Sequence, residues 1–283
     1  MIVNEKYEFI NIIQKSQKST VYIAKNLSSV NSGYKTVLIK SVNKEVNPLF
    51  IKDKNYPFPI PKEMYFINLI NDAKLCPKIF NYFQNENEFS VVMEYLNGDW
   101  ISLFTFIKRR EQPEEIVQIY VRNIVKALEK LNKKGVYHLD IKPENIMINQ
   151  VTYKIKFLDF ESSLYDKFNK YPLHNTFVGT VGCSSYEAVF GMIFDVKKNM
   201  AFEIGNLIYY CIEGSAIFKT KSEYCNIKPI PFYKCSESVK KLITNCLICR
   251  EKERIKFSKI LNSSWFHKMS FKKKLLKIIS KQI

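Results

Sequence analysis

Glycine and arginine are both scarce in this chain of 283 residues. It has only eight glycines, although loops that hold phosphate groups usually need glycine for close backbone approach. It has five arginines, so the formal net charge of +17 comes mainly from lysine. Base-specific readers of nucleic acid rely on arginine for bidentate contacts. The lysine surplus therefore favours a diffuse attraction for polyanions, with nonspecific nucleic-acid contact through surface lysines.

A disulfide framework and a membrane-spanning run are also missing from the sequence. The seven cysteines show no regular spacing, which favours a reducing compartment. Cys246 and Cys249 form one CxxC without a second pair, so buried thiols are favoured over a zinc site. The start, MIVNEK, is not a signal peptide, and no apolar run approaches the ~20 residues of a membrane helix. We expect a soluble, intracellular protein without membrane contact.

Hydrophobic residues make up 46% and aromatic residues 14% of the chain, which is enough for a folded core. Strand-like runs come first, near 7–13, 20–24, 36–41, 79–83 and 89–95. One helix is predicted among them, over 62–70, because apolar residues recur there at helical spacing. This pattern predicts a small, β-rich unit with one main helix.

After Gly98 the pattern becomes helical. A helix begins near Pro113, since proline fits a first helical turn, and further helical runs lie near 201–213, 237–249 and 256–262. The stretch FKKKLLKIISKQI from Phe271 is a candidate basic amphipathic helix, with packing on the larger part favoured and membrane or nucleic-acid contact as alternatives. We therefore predict an α+β fold, with a small lobe at 1–95 and a larger, mostly helical lobe at 96–283.

The stretch HLDIKPENIM, from His138 to Met147, carries the strongest chemical signal. The triplet Asp159-Phe160-Glu161 directly follows the run KIKFL, and Asp159 lies fourteen residues beyond Asn145. A carboxylate can orient a substrate hydroxyl, and an amide with a second carboxylate can hold the metals that bridge ATP phosphates. A lysine can neutralise charge that develops on a transferred phosphate. This order resembles the HRDxKPEN catalytic loop and the DFG motif of eukaryotic-type protein serine/threonine kinases.

The resemblance implies a bilobal protein-kinase-like fold, a protein substrate, and ATP with Mg²⁺ or Mn²⁺ as cofactors. It implies catalytic roles for Asp140, Lys142 and Asn145, and metal binding by Asn145 and Asp159. Lysine two positions after the catalytic aspartate resembles serine/threonine kinases rather than tyrosine kinases. The oligomeric state does not follow from it.

Further segments extend the resemblance over about residues 7 to 267. Val37–Lys40 is similar to a VAIK motif, in which Lys40 binds phosphates and pairs with Glu63 of the predicted helix. The run 91–96 resembles a strand entering the hinge, with Met93 as gatekeeper and backbone groups at 94–96 for adenine. The nucleotide-binding residues implied by the resemblance are Ser16, Val21, Lys40, Glu63, Met93, Glu94, Leu96 and Met147.

The resemblance also assigns a structural pair. Gly179-Thr180 followed by Glu187 is similar to the GT…APE segment of these kinases, and Arg254 stands where the family carries the arginine that pairs with that glutamate. We expect a buried Glu187–Arg254 ion pair with a planar, bidentate contact.

Several positions depart from the family pattern. Gln14, Ser16 and Ser19 occupy the three glycine positions of the phosphate loop, and because serine still offers N–H and hydroxyl donors we expect weaker or slower nucleotide binding rather than none. Leu139 replaces the arginine that grips an activation-loop phosphate, and Met200 stands where an aspartate usually ties down the catalytic loop.

Glu161 replaces the DFG glycine. A side chain here restricts the backbone, and its carboxylate is expected to add negative potential near the metals and to favour Mn²⁺. The alternative is contact with solvent or with a nearby lysine.

These losses keep other functions open. A pseudokinase that binds nucleotide and acts as a scaffold is one alternative, and a small-molecule phosphotransferase is another. Catalysis is favoured because every group expected to touch ATP, metal or proton is retained: Lys40, Glu63, Asp140, Lys142, Asn145 and Asp159.

Acidic residues near the expected substrate site favour a basic substrate. Asp99 and Glu144 match positions that receive basic residues, although a ribose contact and a solvated carboxylate are the alternatives. A protein of net charge +17 would repel free polycations, so a substrate already bound to nucleic acid fits better. Among viral kinases the chain most resembles the baculovirus-encoded serine/threonine kinases, which act on a protamine-like DNA-packaging protein. This implies the cytoplasm or nucleus of an infected host cell.

Overall fold

The computed structural model describes residues 2–3, 6–28, 34–46, 49–167, 173–225 and 230–267. The basic stretch from Phe271 lies outside these described residues. The chain divides into two compact units, Met1–Trp100 with Lys156–Glu161, and Ile101–Ile155 with Ser162–Ile283. The first unit therefore runs past residue 95, where the prediction placed the boundary, and it also takes in the DFG-like triplet. The reason is local, because Phe157 N–H donates to Leu75 O at 2.8 Å and Lys156 pairs with Glu94 at 2.6 Å.

The elements of the first unit are β1 (Ile2–Val3), β2 (Tyr7–Lys15), β3 (Ser19–Asn26), β4 (Thr36–Asn43), β5 (Phe50–Ile51), β6 (Ile60–Pro61), α1 (Lys62–Ile70), β7 (Ile79–Gln84) and β8 (Glu88–Glu94). Six of the strands form one antiparallel sheet in the order β1-β2-β3-β4-β8-β7. The predicted helix over 62–70 is present as α1 with the same bounds.

The two faces of this sheet have separate cores because successive side chains point to opposite faces of a strand. Val37, Ile39 and Val92 share one apolar cluster, whereas Met93 shares another with Met64 of α1. The alternation along β4 places Lys40 on the face covered by α1, opposite the Val37 and Ile39 face. The position of Lys40 therefore follows from the register of β4.

The elements from residue 100 onward are β9 (Trp100–Ser102), α2 (Leu103–Arg109), α3 (Glu114–Lys133), β10 (Val136–Tyr137), β11 (Ile146–Asn149), β12 (Ile155–Phe157), β13 (Leu164–Tyr165), β14 (Leu173–His174), α4 (Tyr186–Val189), β15 (Phe194–Asp195), α5 (Val196–Glu213), α6 (Lys221–Cys225), α7 (Glu237–Cys246) and α8 (Ser264–His267). Short 3₁₀ helices span Pro143–Asn145 and Phe257–Asn262. The run predicted near 256–262 is thus a 3₁₀ rather than an α-helix. Together the two units give the predicted α+β, bilobal protein-kinase-like architecture.

Helix α5 is the buried centre of the second unit. A Cβ added at Gly205 would lie 2.5 Å from Cys246 Cβ, so only glycine lets α5 and α7 approach this closely. The Cys246 side chain is fully buried, and burial raises the pKa of its thiol to about 12. In this packing the thiol serves as a small apolar core side chain. None of the helices in the described part of the chain is both long and apolar enough to cross a membrane.

Candidate active site

Each unit carries part of the predicted site. The residues found in the first unit are Ser16, Val21, Lys40, Glu63, Met93, Glu94, Leu96 and Asp159. The residues found in the second unit are Asp140, Lys142, Asn145, Met147, Glu187 and Arg254.

A short ion pair joins β4 to α1. Lys40 Nζ lies 2.5 Å from Glu63 Oε2, and the two side chains are only 17% and 13% exposed. Burial acts to lower the pKa of Lys40, but the charge of Glu63 and its hydrogen bond outweigh burial and raise that pKa above its usual value. Lys40 is therefore a fixed cation at neutral pH, which suits a phosphate-binding lysine.

The DFG-like triplet is attached to the same glutamate. Asp159 N–H donates to Glu63 Oε1 at 3.2 Å, and Phe160 is fully buried. Asp159 has φ of +58°, and its Oδ1 accepts from Glu161 N–H at 3.2 Å. Glu161 Oε1 in turn lies 3.6 Å from Lys40 Nζ. Contact with a nearby lysine, the alternative considered for Glu161, is the arrangement in this structure.

The glycine-poor hairpin between β2 and β3 is closed by its own serines. Ser16 N–H and Ser16 Oγ both donate to Ser19 O, at 2.9 and 3.1 Å, and Ser19 N–H donates to Ser16 Oγ at 3.1 Å. The donors that were expected to face phosphate are thus used within the turn. Phosphate binding by Ser16 stays a prediction, and it requires these bonds to be exchanged.

The predicted adenine-side residues lie on neighbouring strands. Val21 is directly opposite Lys40 across β3 and β4, and Met93 is opposite Leu38 across β4 and β8. Met93 is buried, whereas Val21 is partly exposed. The antiparallel register therefore places these side chains close to Lys40 on one sheet face.

The hinge residues follow at the end of β8. Glu94 N–H donates to Lys78 O at 2.8 Å, and Glu94 Oε2 accepts from Lys156 Nζ at 2.6 Å. This N–H is used within the protein, so the predicted contact of the Glu94 backbone with adenine, which stays a prediction, would have to involve its carbonyl. Leu96 is partly exposed next to it.

In the second unit the catalytic loop surrounds one buried carboxylate. Asp140 Oδ2 accepts from Asn145 Nδ2 at 2.8 Å and lies 2.8 Å from Lys142 Nζ. Asp140 Oδ1 accepts from Thr180 Oγ1 at 2.6 Å, and Lys142 Nζ also donates to Thr180 Oγ1 at 2.8 Å. Sequence reasoning placed Thr180 in a motif but gave it no role; here it fixes both charged groups. Met147 lies close by in sequence, in β11, and is partly exposed.

The backbone of the catalytic loop is unusual at Leu139. This buried residue has φ of +61°, a left-handed conformation that costs a non-glycine residue roughly 1–2 kcal/mol. Gly179 packs directly against it: a Cβ there would lie 2.6 Å from Leu139 O, and its own φ is +89°. Only glycine satisfies both conditions, so Gly179 lets the segment that carries Thr180 lie against the loop.

Sequence reasoning missed Glu203 of α5, a fully buried acid. Met200, which stands at the usual aspartate position, is buried, but Glu203 lies one turn later, and its Oε1 accepts from Asn199 Nδ2 at 3.2 Å. Burial and the charge of Asp140 raise the pKa of Glu203 well above its usual value, while the N–H of Ile141 is among the groups that hold it down. A carboxyl group therefore supports the catalytic loop after all. The sequence feature that could have identified Glu203 is its position as the one acid within the otherwise mainly apolar helical run AFEIGNLI.

Glu187 and Arg254 form the predicted ion pair, and both are buried. Arg254 Nη2 donates to Glu187 Oε1 and Oε2, at 3.0 and 3.1 Å. The expected planar contact with two nitrogens is not formed, because Arg254 Nε donates to Ile248 O and Nη1 to Lys198 O. The guanidinium thus spreads its donors over a carboxylate and several carbonyls.

The predicted metal ligands fit Mg²⁺ or Mn²⁺. Asn145 Nδ2 also donates to Asp140 O at 3.1 Å, so its amide oxygen is on the side turned away from that group and is the atom that would hold a cation. Within the described residues, no three His, Cys, Asp or Glu side chains are grouped to hold a metal by themselves. Mg²⁺ typically needs only one or two protein carboxylates because phosphate oxygens and water complete its shell. The oxygen donors Asn145 and Asp159 suit that chemistry.

The first unit thus carries a lysine–glutamate pair on a β-sheet, and the second carries an aspartate held by lysine, threonine and asparagine; both are groups that phosphotransferases use. The family model for the protein kinase domain matches residues 7–266. The chain therefore belongs to the protein kinase domain family.

Similar curated proteins include CBL-interacting serine/threonine-protein kinases of Arabidopsis thaliana. Number 12 is 24% identical over 270 residues, covering 93% of this chain and 53% of the relative. Number 20 is 26% identical over 281 residues, covering 96% and 61%. Serine/threonine-protein kinase PKH2 of Saccharomyces cerevisiae is 25% identical over 283 residues, covering 94% and 25%. The chain thus spans about half the length of the plant relatives it matches.

Loss of one partner of the buried ion pair is expected to destabilise the second unit. Glu187→Gln leaves the Arg254 charge buried with only neutral acceptors, and removing one partner of such a pair costs about 3–5 kcal/mol. The free energy of unfolding, measured with denaturant, checks this value. Glu253→Gln is the matched control because Glu253 pairs with Arg250 at the surface, where their side chains are 57% and 83% exposed, respectively. The expected loss in the free energy of unfolding for this variant is below about 1 kcal/mol. Equal losses in the two variants would contradict the prediction.

Glu203 is expected to make stability depend on pH. Since its folded-state pKa is raised above the usual 4.5, the folded protein binds more protons than the unfolded one between these pKa values, and the free energy of unfolding falls as pH rises through this window. Glu203→Gln removes this loss, so the variant gains stability relative to wild type with rising pH. Urea unfolding from mildly acidic to mildly alkaline pH checks this, with exposed Glu144→Gln as control. Parallel curves for wild type and Glu203→Gln would refute the role of the buried acid.

Proposed function

We propose that this chain is a catalytically active, ATP-dependent protein serine/threonine kinase. The observation that carries the proposal is the arrangement around Asp140, where lysine, threonine and asparagine fix both carboxylate oxygens. The serine/threonine kinase names of the relatives support the same substrate class. ATP bound with Mg²⁺ or Mn²⁺ would supply the transferable phosphoryl group.

The roles of the protein groups follow from their contacts. Asp140 Oδ1 already accepts a hydroxyl hydrogen bond from Thr180, and it would orient a substrate hydroxyl in the same way. Lys142 lies 2.8 Å from that carboxylate and would neutralise charge on the transferred group. Lys40 would bind phosphate oxygens, while Asn145 and Asp159 would hold the metal.

The retained machinery supports catalysis over an inert scaffold. All six groups that the chemistry requires are present, and Glu203 supplies a carboxyl group in α5 whose apparent loss was an argument for a pseudokinase. The serine-closed hairpin favours slower nucleotide binding, which is the one feature that speaks for the scaffold. The Glu187–Arg254 pair and the segment carrying Thr180 support a protein substrate over a small molecule.

For the substrate, we further propose a basic DNA-packaging protein acted on by a viral kinase, similar to the baculovirus-encoded serine/threonine kinases. Asp99 and Glu144 are both exposed and available to basic residues. The net charge of +17 favours a substrate whose own charge is neutralised by nucleic acid, and surface lysines would contact that nucleic acid without sequence preference. The proposed location is the cytoplasm or nucleus of an infected host cell.

Transfer of radiolabelled phosphate from ATP tests the proposed function. We expect label on serine or threonine of a protamine-like basic protein, more strongly when DNA is present, and a loss of about 10²–10³-fold in Asp159→Asn. Nucleotide binding without transfer would identify a scaffold instead. Label on small molecules alone would identify a phosphotransferase of another class.

Activity is expected without phosphorylation of the activation segment. Thr176 is exposed, and Leu139 is apolar and buried, so it cannot make charge-assisted bonds to a phosphate. Thr176→Ala should keep most of the wild-type rate. Thr180→Ala, in the same segment, should lose at least about tenfold because it frees both Asp140 and Lys142. A hundredfold loss in Thr176→Ala would show that another cation docks a phosphorylated segment.

A further inference from the structure

Lys40 has two carboxylate neighbours with different attachments. Glu63 is anchored at both oxygens, to Lys40 Nζ and to Asp159 N–H. Glu161 reaches Lys40 Nζ with Oε1 at a longer distance of 3.6 Å, and its side chain is 28% exposed against 13% for Glu63. Glu161 is therefore the partner of Lys40 that can be exchanged.

Charges of both signs act on Glu161. Burial raises the pKa of Glu161, the charges of Lys40 and Lys18 act against that rise, and the carboxylates of Asp159 and Glu63 add to it. The pKa of Lys62, which burial lowers, is held up by the charge of Glu161. Three ammonium groups thus interact with this partly exposed carboxylate, and ammonium groups also form charge-assisted hydrogen bonds to phosphate.

The backbone fixes Glu161 in this place. Phe160 before it is fully buried, and Glu161 N–H donates to Asp159 Oδ1 at 3.2 Å. The backbone of Glu161 is consequently held near Lys40, while its side chain can still rotate away. Rotation would break the Lys40–Glu161 contact and weaken the interactions of Glu161 with Lys18 and Lys62, whereas the contacts of Glu63 would remain.

We propose that the Glu161 carboxylate competes with nucleotide phosphates for Lys40, so that a nucleotide binds only by displacing it. This inference rests on the proposed function, since it takes Lys40 as the phosphate-binding lysine. In the free protein Glu161 partly neutralises the charge of Lys40. The free energy that Lys40 contributes to nucleotide binding is therefore only the difference between its contact with phosphate and its contact with the Glu161 carboxylate. The residue at this position therefore sets nucleotide affinity.

Calorimetric titration of ADP and ATP into the full chain in the presence of a metal chelator tests the competition. Glu161→Gln keeps the side-chain size and removes the charge, so both nucleotides are expected to bind about fivefold more tightly, since a partly exposed ion pair is worth about 1 kcal/mol. Glu86→Gln is the matched control: Glu86 is exposed, and its substitution changes the net charge equally. Its affinity should equal that of wild type.

Glu161→Asp adds a second comparison, because its carboxylate stays charged but is drawn back from Lys40 by one methylene. We expect an affinity between those of wild type and Glu161→Gln, with thermal melting confirming that each variant is folded. Unchanged or weaker binding in folded Glu161→Gln overturns the inference, and so does an effect that occurs only with Mg²⁺ or Mn²⁺ present, which would assign Glu161 to the metals. If wild type and all variants fail to bind either nucleotide, both with the chelator and with Mg²⁺ or Mn²⁺, the proposed function itself fails, and the inference falls with it.

Discussion

The rest of the first unit depends on the contacts that the carboxylate of Glu63 makes. One of its oxygens holds Lys40 at 2.5 Å and the other accepts the N–H of Asp159 at 3.2 Å. A single side chain from α1 thereby positions both the lysine proposed to bind phosphate and the aspartate proposed to bind metal. Because it is only 13% exposed, its loss would strand a charged lysine and release the DFG-like triplet together. Glu63 therefore links strand β4, helix α1 and the DFG-like triplet.

Two acids with different surroundings lie at the catalytic loop of the second unit. The carboxylate of Asp140 is held by Lys142, Thr180 and Asn145. Glu203 lies fully buried in α5, and burial together with the nearby charge of Asp140 raises its pKa. Glu203 is consequently harder to ionise than an exposed glutamate. The two acids therefore serve the loop in different ways, one through direct contacts with its donors and one from inside the apolar core.

The sequence predicted those parts of the fold and site that depend on local order. Helix α1 follows from apolar spacing, and the motifs placed Lys40 and Asp140 because each is defined by neighbours along the chain. Glu203 was missed because its role depends on a contact between distant segments. The closure of the Ser16 hairpin and the single-nitrogen contact of Arg254 were missed for a related reason, since the motifs identify donors but not where each donor points. The sequence motifs therefore do not determine which of several possible acceptors each donor binds, because that choice depends on the three-dimensional packing.

The buried thiol of Cys246 has a consequence for chemical durability. Thiolates, and not thiols, react with peroxides and electrophiles. With a pKa of about 12, this side chain is almost wholly protonated at physiological pH, and it is also closed off from solvent. The packing that lets α5 meet α7 at Gly205 therefore makes this cysteine resistant to oxidation and to covalent labelling, although it belongs to a CxxC pair.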